Sequence, residues 1–191
     1  MKIPKALQQK LLFRKDSNAL RNLPIATNGI DFSSNDYLGF AKNEQIFDNT
    51  HQYLVDNNIK INGATGSRLI SGNHNLYDIT EKYIAAFHQS EAALIFNSGY
   101  DANVGFFSAV PQRNDVILYD GIQMSNAKSY KFQHNDYEDL ETKISKIQTS
   151  NSEFQTIYIV TESVFSMDGD SPNIETLVQL SGNFKALLVV D

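Results

Sequence analysis

Three short stretches carry residue types that could do chemistry. The first is Asn97-Ser98-Gly99-Tyr100-Asp101-Ala102-Asn103, between the apolar run AALIF (92–96) and VGFFSAV (104–110). A strand that gives way to Ser-Gly and then to a helix leaves backbone N–H groups pointing outward. Those donors, with the helix dipole, hold phosphate. The same residues serve equally well as a capped glycine turn, which is the simpler reading of the spacing alone. The second stretch is TESVFSMDGD (161–170), where Glu162 and Ser166 flank a short apolar piece. Carboxylate and hydroxyl can act beside a sheet crevice or merely cap the loop, and Asp168 and Asp170 around Gly169 read as turn formers. The third is Asp191, which ends the apolar run ALLVVD (186–191). An ionised carboxylate at the end of a buried strand needs a partner. A protonated pyridine nitrogen, a helix N-terminus or an arginine would each serve.

Other chemistries lack their residues. The loop GATGSRLISGN (63–73) has no Gly-Lys-Ser/Thr ending, and no GxGxxG or GxSxG occurs, so P-loop, dinucleotide-fold and serine-hydrolase readings fail. Cysteine is absent, which removes disulfides, thiolate metal sites and thiol nucleophiles. His51, His74, His88 and His134 show no metal-ligand spacing; surface or capping roles suit all four, and no metal is assigned. The net charge of -6 over 191 residues argues against nucleic acid or an anionic membrane surface as partner. The apolar runs are too short for a membrane span or a secretory signal, so a cytoplasmic protein is expected.

The elements that must position these residues follow from periodicity. Residues 4–21, 43–57 and 74–88 read as amphipathic helices. Asn135 with Glu138 resembles a capping box opening a further helix through Leu140, Ile144 and Ile147. Ile174, Leu177 and Val178 mark another, closed by Gly182. AALIF (92–96), DVILYD (115–120), KSYKF (128–132), TIYIVTES (156–163) and KALLVVD (185–191) read as strands. Apolar strands alternating with helices predict an α/β protein with a mostly parallel sheet covered on both faces. Ligands in such sheets sit outside the carboxyl ends of the strands. A parallel strand as apolar as the last one calls for a following crossover helix, so the 191 residues are expected to be the front part of a longer chain.

Seven segments together carry a resemblance: NALRN (18–22), IDFSSNDYLGF (30–40), GATGSRLISGNHNLYDITEKYIAAFH (63–88), EAALIFNSGYDAN (91–103), KSYKFQHND (128–136), TESVFSMDGDSPNI (161–174) and ALLVVD (186–191). In order and spacing the chain resembles the α-oxoamine synthases, pyridoxal 5'-phosphate enzymes of the aspartate-aminotransferase-like fold (fold type I), over about the first half of such an enzyme. The resemblance implies an N-terminal helix and extended arm (1–40), then the first part of the cofactor-binding large domain (41–191), with the small domain absent.

It also implies roles. Gly99 and Tyr100 match the turn and the aromatic ring that adjoin the cofactor. Ser166 matches a cofactor-contacting serine, and Asp191 the carboxylate at the pyridinium nitrogen. Glu162 matches an active-site acid, and Arg21 and Asn35 match substrate-contacting positions. The 63–72 loop corresponds to a region near a homodimer interface. The implied reaction is decarboxylative condensation of an amino acid with an acyl-CoA or acyl-carrier-protein thioester. L-alanine with a pimeloyl thioester, a step of biotin synthesis, fits best; glycine with acetyl-CoA is the alternative.

Two departures stand against this pattern. The Schiff-base lysine has no counterpart in the chain, and Lys128 and Lys131 read as exposed charges. A segment after Asp120 carrying a cofactor-stacking histidine is missing. A non-catalytic binding or dimerisation module is therefore the reading of a different class.

Overall fold

The computed structural model describes residues 3–23, 29–30, 32–120, 127–150 and 156–191. It contains two compact units, Met1–Gly63 and Ala64–Asp191. The segment that follows Asp120, where the missing stretch is expected, lies outside the described residues.

The first unit holds α1 (Lys5–Asp16) and α2 (Glu44–Asp56). Pro4 opens α1, its carbonyl accepting from Leu7 and Gln8 N–H. The helix ends at Asp16 rather than continuing to 21. Asn18 turns left-handed at φ 54°, and Ala19 N–H closes onto Arg14 O. Asn tolerates that conformation because its side chain is short and polar. In α2 the Asn43 side chain accepts from Ile46 N–H, satisfying a donor that the first turn cannot. Between the helices, the Asp36 carboxylate accepts from Phe40 and Ala41 N–H, just past Gly39 at φ 70°.

The second unit opens on a loop containing a π-helical turn, Arg68–Gly72, followed by α3 (Asn75–Phe87). Arg68 pairs with Glu81 of α3 through two bonds of 2.6 and 2.9 Å and lies 4.1 Å over the Tyr77 ring. Glu81 also accepts from Ile95 N–H at 2.9 Å. These bonds hold the Glu81 carboxyl at about 2, below its usual 4.5, the Arg68 contact being the larger cause. A depressed folded-state value contributes stability above the unfolded value and loses it as pH falls. Thermal unfolding between pH 4.5 and about 2 is therefore expected to fall less steeply for Glu81→Gln than for the parent chain; parallel curves would contradict it.

AALIF (92–96), expected as a buried strand, forms none. No neighbouring strand among the described residues offers it a ladder, and a strand exists only by pairing. Leu94 is 63% exposed, and Ile95 gives its N–H to Glu81 instead.

Next come α4 (Gly99–Ala109), β1 (Val116–Tyr119), β2 (Lys128–Lys131), α5 (Tyr137–Ser150), β3 (Ile157–Thr161), α6 (Ile174–Phe184) and β4 (Leu187–Val190). The strands form one parallel sheet in the order β2-β1-β3-β4, as the α/β reading anticipates. Side chains alternate across it. Leu118 and Ile159 face Leu140 and Ile144 of α5 and Leu177 and Leu180 of α6. Ile117, Tyr158 and Val160 face Phe107 of α4. Fully burying such a side chain is worth about 1.5–3 kcal/mol. β4 is an edge strand and is only partly covered.

Helix ends differ from the expectation in two places. Asp136, not Asn135, caps α5, accepting Asp139 N–H on its carboxylate and Leu140 N–H on its carbonyl. α6 runs through Gly182, and Lys185 at φ 52° closes it.

Candidate active site

Because every strand runs the same way, their carboxyl ends share one edge of the sheet. Asp120 follows β1, Glu162 follows β3, and Asp191 follows β4. The Asp191 main chain is fixed on both sides: its N–H donates to Thr161 O at 2.9 Å, and its carbonyl accepts from Ser163 N–H at 2.6 Å.

α4 starts at Gly99, within the stretch whose simpler reading is a capped glycine turn. The Ser98 hydroxyl caps it, accepting from Asp101 N–H at 3.0 Å. The first N–H groups of a helix have no intrahelical acceptor, which leaves those of Gly99 and Tyr100 available. A Cβ built on Gly99 meets nothing within 4 Å, and the Tyr100 ring is exposed. One turn on, Asn103 Nδ2 donates to Asp191 Oδ2 at 3.0 Å. The start of α4 and the strand-end carboxylate thus belong to one bonded arrangement.

A second group surrounds a cavity of about 320 Å³ lined by Asp120, Lys131, His134, Glu162, Phe165 and Ser166, among others. It brings together the predicted Glu162 and Ser166. Gly99, Tyr100 and Asp191 do not line it, but the Ser163–Asp191 bond joins the two groups. Arg21 and Asn35 lie in the first unit. Arg21 shares an open groove with Phe13 and Arg14, and the Asn35 carbonyl accepts from Tyr37 N–H.

His134 has a place that sequence spacing did not reveal. Nδ1 lies 3.0 Å from buried Asp120, and Nε2 lies 3.0 Å from Asp170. The ring packs edge-on to Phe165, with centroids 4.4 Å apart. Asn135 reinforces the arrangement, giving its N–H to Asp120 and its amide to Asp170. His134 is exposed, as a surface role requires, and Asp170 takes part in the turn, its carbonyl accepting from Phe165 N–H; beyond those roles, the two side chains together tie the 162–170 loop to the end of β1. The tie spans 36 residues on one side and 14 on the other, which no local motif announces.

The Asp120 bond, then that of Asp170, raises the His134 pKa above its usual 6.5. With a raised folded value, the contribution to stability is complete below the unfolded value and fades as pH rises through the folded one. Ring titration by NMR is expected to place His134 above the usual 6.5, and Asp170→Asn to lower it. A His134 value unmoved by that substitution would remove Asp170 as a cause.

The family described as aminotransferase class I and II matches residues 27–191. The 8-amino-7-oxononanoate synthase 2 of Bacillus subtilis strain 168 is 36% identical over 212 residues, covering 100% of this chain and 53% of the relative. The Sphingomonas wittichii serine palmitoyltransferase superposes with a TM-score of 0.71 at 27% identity, over 82% of this chain and 40% of that one. A serine palmitoyltransferase from S. paucimobilis with bound PLP and myriocin superposes at 0.76 with 20% identity, over 98% of this chain and 53% of that one; this likeness is one of fold. The chain spans about half the length of the curated relatives it matches.

Proposed function

The chain belongs to the aminotransferase class I and II family, and from that premise we propose that it forms the front of a pyridoxal-phosphate acyltransferase of the α-oxoamine synthase type. The observation that carries the proposal is the bonded pairing of a strand-end carboxylate with the helix that starts at Gly99. Open space at Gly99 and donors at a helix start suit a phosphate. Asp191 Oδ1 has no protein partner among the described residues, which suits a protonated ring nitrogen.

When bound, the cofactor supplies an electron sink for the carbanion formed at an amino acid's α-carbon. The chain's own residues bind and orient it. The Gly99 and Tyr100 N–H groups would hold the phosphate, with the Tyr100 ring adjoining the cofactor. Asp191 keeps a proton on the ring nitrogen, which strengthens the sink. Ser166 contacts the cofactor from the 162–170 loop. Glu162, half-buried beside it, provides a carboxylate near the reacting atoms. Arg21 and Asn35 are the proposed substrate contacts. The 63–72 loop lies near the interface of a homodimer, in which the two active sites share residues.

The relatives' names support L-alanine with a pimeloyl thioester, giving 8-amino-7-oxononanoate, ahead of glycine with acetyl-CoA or serine with a long-chain acyl-CoA. The test offers each pair, with pyridoxal 5'-phosphate, to the protein as its source makes it. Product is read by mass spectrometry together with released carbon dioxide. Condensation with alanine is expected. Condensation with another pair moves the substrate assignment. Cofactor binding without turnover of any pair points to a non-catalytic module, and no cofactor binding overturns the proposal.

A further inference from the structure

We propose that Asn103 is a positioning residue that sets the orientation of the Asp191 carboxylate, so that the helix with the phosphate-holding start, α4, also orients the ring-holding group. The inference rests on the pyridoxal-phosphate reading.

The main chain of Asp191 is held by Thr161 and Ser163, but a carboxylate can still turn about its side-chain bonds. Asn103 Nδ2 takes Oδ2 at 3.0 Å, and the bond crosses 88 positions of sequence. With that oxygen engaged, Oδ1 is the one left to face a ligand.

The donor stands on a firm support. Phe107 of the same helix is 3% exposed and packs with Ile117, Tyr158 and Val160 of the sheet. Phe106 adds an edge-on contact to Tyr158, with centroids 6.4 Å apart. The amide is therefore carried by an element anchored to the sheet that also carries Asp191.

Placement along the helix gives this bond a consequence for binding. Gly99 and Tyr100 open α4, and Asn103 follows three to four residues later, about 5 Å along the axis at 1.5 Å per residue. A ligand with a phosphate at one end and a ring nitrogen at the other meets the start of α4 and a carboxylate oriented by a residue of the same helix. Asparagine inside a helix is a poor choice for the helix itself, since its amide competes for backbone groups. Ala would suit the helix better, so the bond to Asp191 is the gain that asparagine brings here.

The test uses the protein as its source makes it and titrates pyridoxamine 5'-phosphate, followed by fluorescence. This probe carries the phosphate and the ring nitrogen but forms no imine, so the measurement is independent of any lysine. Asn103→Ala is expected to weaken binding about three- to tenfold, within the range of one hydrogen bond, with a melting temperature unchanged or higher. In an Asp191→Ala background the same substitution should add nothing, because the group it orients is gone. A merely structural role would instead lower the melting temperature and add its effect in both backgrounds. Parent-like affinity of Asn103→Ala, or additive losses in the double variant, overturns the proposal while the cofactor reading stands. Parent-like affinity of Asp191→Ala, or no saturable binding by the parent protein, overturns the cofactor reading and this proposal with it.

Discussion

Replacing Asp191 by alanine is expected to weaken pyridoxal phosphate binding by roughly 10- to 150-fold, the range of one hydrogen bond between charged groups. The size follows from position. Asp191 is the first residue beyond β4, at the sheet edge where ligands of α/β proteins bind. One of its oxygens is taken by Asn103 and the other is available. The fold itself should hardly notice, because the side chain is exposed and such substitutions stay within about 0.5 kcal/mol. Asp191→Asn keeps the shape but not the charge and should fall between parent and alanine. Absorbance titration measures the affinity, and a melting curve checks the fold. If the cofactor bound to Asp191→Ala as to the parent, Asp191 would lose its role at the ring nitrogen.

The parallel sheet was legible because β1 and β3 are apolar on both faces and lie at its centre, where every residue must be covered. The same rule misread 92–96. An apolar run states that a segment seeks cover, not that a partner strand is present to pair with it. At 97–103 the sequence leaves a turn and a helix start open, because Ser98-Gly99 signals both alike; the hydroxyl bond to Asp101 N–H decides between them.

Asp191, Glu162 and Ser166 stood out because each sits at or just past a strand end. Their supports did not. Asn103 looked like one residue of a turn, and His134 like a residue before a cap. Their partners lie 14 to 88 positions away, so only the closed sheet brings them together. Sequence order thus marked the candidate groups and was silent on those that hold them still.

Two glycines should separate what the loop does from what the helix start does. Gly72→Ala is expected to destabilise the second unit by about 1–3 kcal/mol, the usual cost of overpacking, or a fall of roughly 2–12 °C in melting temperature for a chain of this size. Gly72 is buried in the π-helical turn, where its N–H donates to Ser67 O at 2.9 Å. An added Cβ would fall on the carbonyl oxygen of Gly66, with the Gly66 carbonyl carbon at 2.7 Å and that of Ser67 at 3.1 Å. All three are backbone atoms, so no side chain can swing aside and the loop must open. Arg68 lies in the same turn, and opening it would pull on the paired bonds to Glu81 and, through Glu81, on Ile95. Gly99→Ala makes the opposite case. Its Cβ meets no protein atom within 4 Å, so the melting temperature should stay near the parent value. That same open space is where a phosphate would sit, so cofactor affinity should fall instead. Melting curves and cofactor titrations of the two variants should therefore cross: one loses stability, the other loses ligand. A Gly72→Ala chain as stable as the parent would show that the close approach of residues 66 and 72 is not needed. A Gly99→Ala chain with unaltered affinity would move the phosphate away from the start of α4.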